Sequence, residues 1–192
     1  MPEVCTSGVL LVDDEPSIRE LLSIHLRKAG LQPILAEDGI DALVKLRVTL
    51  PKVIIVDLQM PRMSGYEFIA VMRRRFPNIP VVAISGSIPS DFPGEVKPDR
   101  WIEKSIHRFP DLMQIVKDLA LRTPDRIDLP GVVSIPVRTR AGFAGYFVLT
   151  CTDCLRMFRA MSPPGNRKAE GTAVCTYCNA RVPYLIESSE PL

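Results

Sequence analysis

Five short apolar runs alternate with helix-period segments over the first 120 residues. No other feature of the chain constrains its fold so tightly. Val9-Leu10-Leu11-Val12 runs into Asp13-Asp14, Pro33–Ala36 is the second run, and Val53–Val56 runs into Asp57. Val81–Ile84 then leads to Ser85, and Trp101-Ile102 precedes Lys104. Runs that are apolar on both faces suit strands covered on both sides, as in a parallel sheet. Between them, Ile18, Leu21, Leu22 and Ala29 mark one helical stripe and Ile40, Leu43 and Val44 a second. Phe68, Ile69 and Met72 mark a third, and Leu112, Ile115, Val116 and Leu119, after Pro110, a fourth. Such alternation predicts an α/β, doubly wound parallel five-stranded sheet with right-handed crossovers. The crossover between Ser85 and Lys104 is expected to be short or irregular, because Pro89, Pro93, Pro98, Gly86 and Gly94 interrupt it.

The grammar changes near residue 121. Residues 122–131 hold Pro124 and Pro130-Gly131 among charges and read as a linker. Beyond it Val133, Ile135 and Val137 alternate with polar residues, and Ala141–Gly145 turns the chain into Tyr146–Thr150, which predicts a hairpin. The expected organisation is a domain over 1–121, a linker over 122–131 and a small all-β domain over 132–192. Over residues 1–120, 15 basic side chains face 16 acidic ones, and 9 face 6 beyond. No bulk field therefore draws the chain to nucleic acid or a membrane. No run reaches the roughly 18 apolar residues of a membrane helix, and the N-terminus carries no signal-peptide pattern, so a cytoplasmic location is expected.

Ligands of an open parallel sheet bind beyond the carboxyl ends of its strands. Asp13 and Asp14 follow the first strand and Asp57 the third, neighbours in a sheet that begins at its centre. Three carboxylates in one crevice repel one another unless a cation enters. Mg²⁺, a hard ion that accepts a few carboxylates and keeps some waters, suits them. Ser85 and Lys104 add a hydroxyl and a cation to the same rim. The set suits phosphoryl transfer onto Asp57, with positioning and charge neutralisation supplying the catalysis.

These motifs resemble the receiver domain of bacterial two-component response regulators. The resemblance runs over roughly residues 7–121, through Leu11–Glu15, Val56–Glu67, Ala83–Gly86 and Ile102–Lys104. It implies a flavodoxin-like sheet of order 2-1-3-4-5. Asp13, Asp14, Asp57 and the backbone carbonyl of Gln59 would hold Mg²⁺, and Asp57 would take phosphate from a sensor histidine kinase or phosphotransfer protein. It also implies that Ser85 hydrogen-bonds the phosphoryl group, that Lys104 pairs with it, and that Pro61 and Gly65 shape the loop into the third helix. Trp101 stands where the family carries a switch Tyr or Phe, and Ser105 where it carries a proline. No enzymatic activity is expected beyond self-phosphorylation and autodephosphorylation.

Cys151-Thr152-Asp153-Cys154 and Cys175-Thr176-Tyr177-Cys178 are two C-x-x-C turns separated by 20 residues. Each turn points two thiolates at one centre, and together they complete tetrahedral Zn²⁺ coordination. Two disulfides and a redox dithiol are the alternatives. A cytosolic setting disfavours the first, and neither turn opens a thioredoxin-like helix. The pattern resembles zinc-ribbon modules over roughly residues 132–187, with a structural metal, since four cysteines leave no open coordination position. Cys5 reads as an ordinary thiol. His25 and His107 read as helix-surface or loop residues.

The expected function is a phosphorelay response regulator that passes its signal to a zinc-ribbon output or adaptor module. A phosphorylation-independent interaction scaffold and a nucleic-acid-binding regulator are the alternatives. For the latter, Arg138, Arg140, Arg156, Arg159, Arg167, Lys168 and Arg181 supply charge, but a solvated basic face is favoured over a binding stripe. The output partner, protein or nucleic acid, is not specified by the sequence. Arg73-Arg74-Arg75 reads as a helix-dipole complement that stays in water.

Overall fold

The computed structural model describes residues 3–4, 8–86, 97–104, 109–122, 137–140, 146–161 and 169–187. The N-terminal strands are β1 (Glu3–Val4), β2 (Gly8–Val12), β3 (Gln32–Ala36), β4 (Thr49–Leu50), β5 (Val53–Asp57), β6 (Val81–Ser85) and β7 (Arg100–Glu103). The helices are α1 (Pro16–Lys28), α2 (Gly39–Leu46), α3 (Gly65–Arg75) and α4 (Phe109–Arg122). Five strands form one parallel sheet in the order β3-β2-β5-β6-β7. Counted along the chain within that sheet, the order is 2-1-3-4-5. β1 and β4 make a separate parallel pair.

β2, β5 and β6 bury every residue, and side-chain alternation divides them between two cores. Leu10, Val12, Ile54 and Val56 face α2 and α3 in one cluster with Leu43, Phe68 and Met72. Val9, Leu11, Val53 and Ile55 face α1 and α4 in the other, with Leu22, Leu26, Leu112 and Val116. The apolar stripes are close to those expected, with two changes. Val44 lies 46% exposed on the outer flank of α2, and Ala29 is the C-cap of α1.

Local chemistry sets the helix ends. Pro16 opens α1, Asp38 caps α2 by accepting from Asp41 N–H at 2.8 Å, and Ser64 and Glu67 form a capping box on α3. Among the described residues no helix is long and apolar enough to cross a membrane. The interrupted segment 87–96, Ser105, His107, Cys5 and the linker beyond Arg122 lie outside the described residues.

The C-terminal strands are β8 (Val137–Arg140), β9 (Tyr146–Thr150), β10 (Met157–Met161), β11 (Ala169–Val174) and β12 (Arg181–Glu187). Residues 133–136 and 141–145 of the expected hairpin lie outside the described residues, and among the described ones Val137–Arg140 does not pair with Tyr146–Thr150. β8 pairs in parallel with β12, and β9 pairs antiparallel with β10. The first cysteine turn reverses the chain at once, placing Met157 opposite Thr150, so β10 takes the edge of β9. Phe147, Leu149, Phe158, Val182, Tyr184 and Ile186 form a third core with Cys151 and Cys175.

Candidate functional site

Asp13, Asp57 and Ser85 sit at strand tips because β2, β5 and β6 are buried to their last residues, whereas Lys104 follows the partly exposed edge strand β7. Asp57 is the last residue of β5 and Ser85 the last of β6, Asp13 follows β2, and Lys104 follows β7. Backbone bonds fix these tips. Asp13 N–H donates to Ala36 O at 3.2 Å, and Lys104 N–H donates to Ser85 O at 2.8 Å. Asp13, Asp57 and Ser85 are buried, whereas Asp14 is exposed at the mouth.

Lys104 Nζ lies 2.8 Å from Asp57 Oδ2 and 3.0 Å from Asp13 Oδ2. Glu15 N–H donates to Asp13 Oδ1 at 2.9 Å, and Gln59 N–H to Asp57 Oδ1 at 3.1 Å. Burial raises the Asp13 pKa above its ordinary value, against the opposing pull of Glu15 N–H and Lys104. Burial also pulls Lys104 down, but its bonds to Asp57 and Asp13 prevail and hold the ammonium above its usual range.

Asp13, Asp14 and Asp57 offer oxygens within 4.8 Å of one another. An octahedral Mg²⁺ with bonds of 2.0–2.1 Å spaces its ligand oxygens about 3 to 4 Å apart, so small side-chain adjustments accommodate it. Asp13 Oδ2, buried and faced only by the Lys104 ammonium, keeps lone-pair capacity for such an ion. The donor set fits a hard cation.

The loop after β5 is tied down from two sides. Gly65 N–H donates to Leu58 O at 3.1 Å, and a Cβ on Gly65 would lie 2.2 Å from the Asp57 carbonyl oxygen. Glycine at 65 is therefore a close-approach requirement. Arg62, at φ 64°, pairs with Glu37 at 2.6 Å and with Asp38. Arg19 Nη1 donates to Asp13 O at 2.5 Å. Neither arginine was a sequence candidate, because each acts through a loop that no periodic pattern marks. Trp101 is half-buried in β7, opposite Ala83 of β6. His25 packs edge-on against Phe109, ring centroids 5.9 Å apart, as a helix-surface residue.

Residues 9–97 match the response regulator receiver domain family. The response regulator protein TrrA of Thermotoga maritima, solved with Mg²⁺-BeF, is 32% identical, and the match covers 59% of this chain and 98% of that one at a TM-score of 0.55. This chain belongs to the response regulator receiver family. TrrA in complex with the histidine kinase ThkA is similar at 30% identity, over 59% of this chain and 97% of that chain, with a TM-score of 0.53. Protein PilG of Pseudomonas aeruginosa is 39% identical over 79 residues, 40% of this chain and 58% of PilG. Regulator of RpoS of Escherichia coli K12 is 38% identical over 79 residues, 41% of this chain and 23% of that protein. The chain thus spans 58% of PilG and 23% of Regulator of RpoS, less than two thirds of either.

The second cluster lies in the C-terminal module. Cys151, Cys154, Cys175 and Cys178 are free cysteines with sulfurs all within 4.8 Å. Cys151 and Cys178 Sγ are 3.6 Å apart, and Cys154 and Cys175 Sγ 3.8 Å. A tetrahedron of Zn–S bonds near 2.3 Å has edges of about 3.8 Å. Both turns share one backbone pattern. Cys151 N–H donates to Arg156 O (2.9 Å) and Leu155 N–H to Cys151 O (2.8 Å); Cys175 N–H donates to Ala180 O (2.9 Å) and Asn179 N–H to Cys175 O (3.0 Å). Tyr177 N–H points at Cys175 Sγ at 3.4 Å, a donor that favours thiolate. Burial pushes the Cys151 and Cys154 thiols up, so a cation is what would make these two ligands anionic.

The arginine triplet corrects the sequence reading. Arg73 pairs with Asp99 at 2.7 Å, and Arg75 lies over the Phe76 ring. Arg74 is 7% exposed and donates from Nε to Thr152 Oγ1 at 3.0 Å. The C-terminal module covers it, so it does not stay in water.

Proposed function

We propose that the chain is a phosphorylation-dependent response regulator whose Asp57 accepts a phosphoryl group from a sensor histidine kinase or phosphotransfer protein. The convergence of Asp13, Asp14, Asp57 and Lys104 carries this reading. Asp13, Asp14, Asp57 and the Gln59 carbonyl would hold Mg²⁺, which neutralises charge on phosphoryl oxygens. The Asp57 carboxylate attacks phosphorus, the nitrogen–phosphorus bond of the donor breaks, and the imidazole leaves with that electron pair. Lys104 aligns the carboxylate beforehand and pairs with the incoming oxygens. Ser85, one strand across, donates its hydroxyl to the phosphoryl group and draws its loop towards it. Trp101 on the adjacent strand is the candidate follower of that movement. The chain adds no enzymatic activity beyond self-phosphorylation and autodephosphorylation, and it acts in the cytoplasm.

The four cysteines hold a structural Zn²⁺, and residues 132–192, joined through the linker at 122–131, form the output or adaptor module. Support comes from the tetrahedral sulfur spacing and from a module too small to rest on its own apolar core. The full chain with Mg²⁺ and acetyl phosphate should gain one phosphate by mass, and Asp57→Asn should gain none. A wild-type mass that does not change would overturn the phosphoacceptor reading.

A further inference from the structure

The two cysteine turns share a backbone pattern but carry different residues after the second cysteine. The residue after the second cysteine has a left-handed backbone in both: Leu155 at φ 55° and Asn179 at φ 59°. Asparagine and glycine tolerate that conformation, whereas leucine does not favour it. A disfavoured backbone persists where its surroundings over-determine it. Leu155 is 4% exposed, and among the described residues it is the one member of the α2–α3 core cluster that comes from beyond β6. Together with Ile40, Leu43 and Val44 it lines a cleft of about 320 Å³ between α2 and the first cysteine turn. Beside it, buried Arg74 donates to buried Thr152, the residue between Cys151 and Asp153. The first turn therefore inserts one apolar and one polar group into the receiver, whereas the second brings only the exposed Tyr177 to the rim of the same cleft and leaves Cys178 exposed.

We propose that the first cysteine turn is a metal-dependent latch that seats the C-terminal module on the α2–α3 face of the receiver, with Leu155 as its bolt. The latch rests on reading the cysteines as a zinc site. Leu155 holds its left-handed backbone because Cys151 and Cys154 grip a common centre on either side of the turn. Without the cation the two sulfurs lose their common centre, the turn relaxes to an ordinary backbone, and the leucine withdraws from α2. Helix α3 then becomes an element shared by both sites: its first residue lies under the Asp57 carbonyl, and Arg74, near its last, meets Thr152. The latch makes zinc loading a condition for the receiver and the module to act as one body.

Leu155→Gly separates the latch from the knuckle, because glycine accepts the backbone of the turn while removing the bolt. The full chain is compared as the zinc-loaded wild type, the chelator-treated wild type and zinc-loaded Leu155→Gly. Bound zinc is measured by a colorimetric indicator, and the amide resonances of residues 39–47 and 65–76 by NMR. The variant is expected to keep one zinc per chain while its α2 and α3 resonances move to the positions of the chelated protein. Zinc-loaded Leu155→Gly with wild-type α2 and α3 resonances overturns the latch while leaving the zinc reading intact. Chelation that strips the metal without moving those resonances does the same. Purified chain that takes up no zinc overturns the zinc reading itself, and the latch with it.

Discussion

Gly65→Ala puts the most direct strain on the strand that ends in Asp57. The added methyl would sit 2.2 Å from the Asp57 carbonyl oxygen, 2.8 Å from Leu58 Cα and 3.0 Å from the Asp57 carbonyl carbon. All three are backbone atoms, so no side chain can swing aside, and α3 must retreat from the tip of β5 by about 1 Å to restore ordinary contact. Replacing glycine normally gains about 0.4–1 kcal/mol through the unfolded chain, whereas overpacking of this kind costs about 1–3 kcal/mol or more. The net expectation is a loss of roughly 2 kcal/mol, which lowers the melting temperature by about 5–10 °C in a domain of this size. The clash pushes on the Asp57 backbone as well as on α3, so the 2.8 Å contact between Lys104 and Asp57 lengthens with the share the strand tip takes up, and misplacement on the order of 1 Å can cost about 100-fold in rate. Thermal melts and the rate of phosphorylation by acetyl phosphate with Mg²⁺ measure the two effects. Gly86→Ala is the internal control, since it too follows a strand tip but meets nothing within 4 Å. Gly65→Ala that melts and phosphorylates like the control would refute the reasoning.

Two further outcomes follow from the same site and its flanks. Because Asp13 has a raised pKa in the folded state, its ionisation weakens the metal-free fold, so stability is lost as pH rises from the ordinary carboxylate range through the raised value. Asp13→Asn should remove that loss and melt higher than wild type at pH 8 without Mg²⁺, with the order reversing when Mg²⁺ is added; a variant that is less stable under both conditions would contradict it. Asp38→Ala removes the cap on the Asp41 N–H and should cost about 1 kcal/mol in urea unfolding, with no change in m-value.

The convergence of the carboxylates and Lys104 was largely legible in the sequence because these residues are punctuation. Asp13, Asp57, Ser85 and Lys104 each end or closely follow an apolar run, and a parallel sheet gathers such ends on one edge. The cysteines were legible because two C-x-x-C turns aim at one point wherever the rest of the module goes. Arg74 was misread because Arg73-Arg74-Arg75 looks like any solvated helix end until the module that covers it is in place. Leu155 carried no signal at all, since one leucine after a cysteine reveals neither its backbone angle nor its neighbour.

The sequence by itself determined which residues face inward, where strands stop and which side chains stand at those stops, because these depend on local period and on residue type. Only the tertiary structure decided partners: β12 for β8, β10 for β9, Thr152 for Arg74, and the α2–α3 core for Leu155. The physical reason is that periodicity records how a segment is oriented towards apolar surroundings, whereas the segment that supplies those surroundings is selected by packing between parts of the chain far apart in sequence.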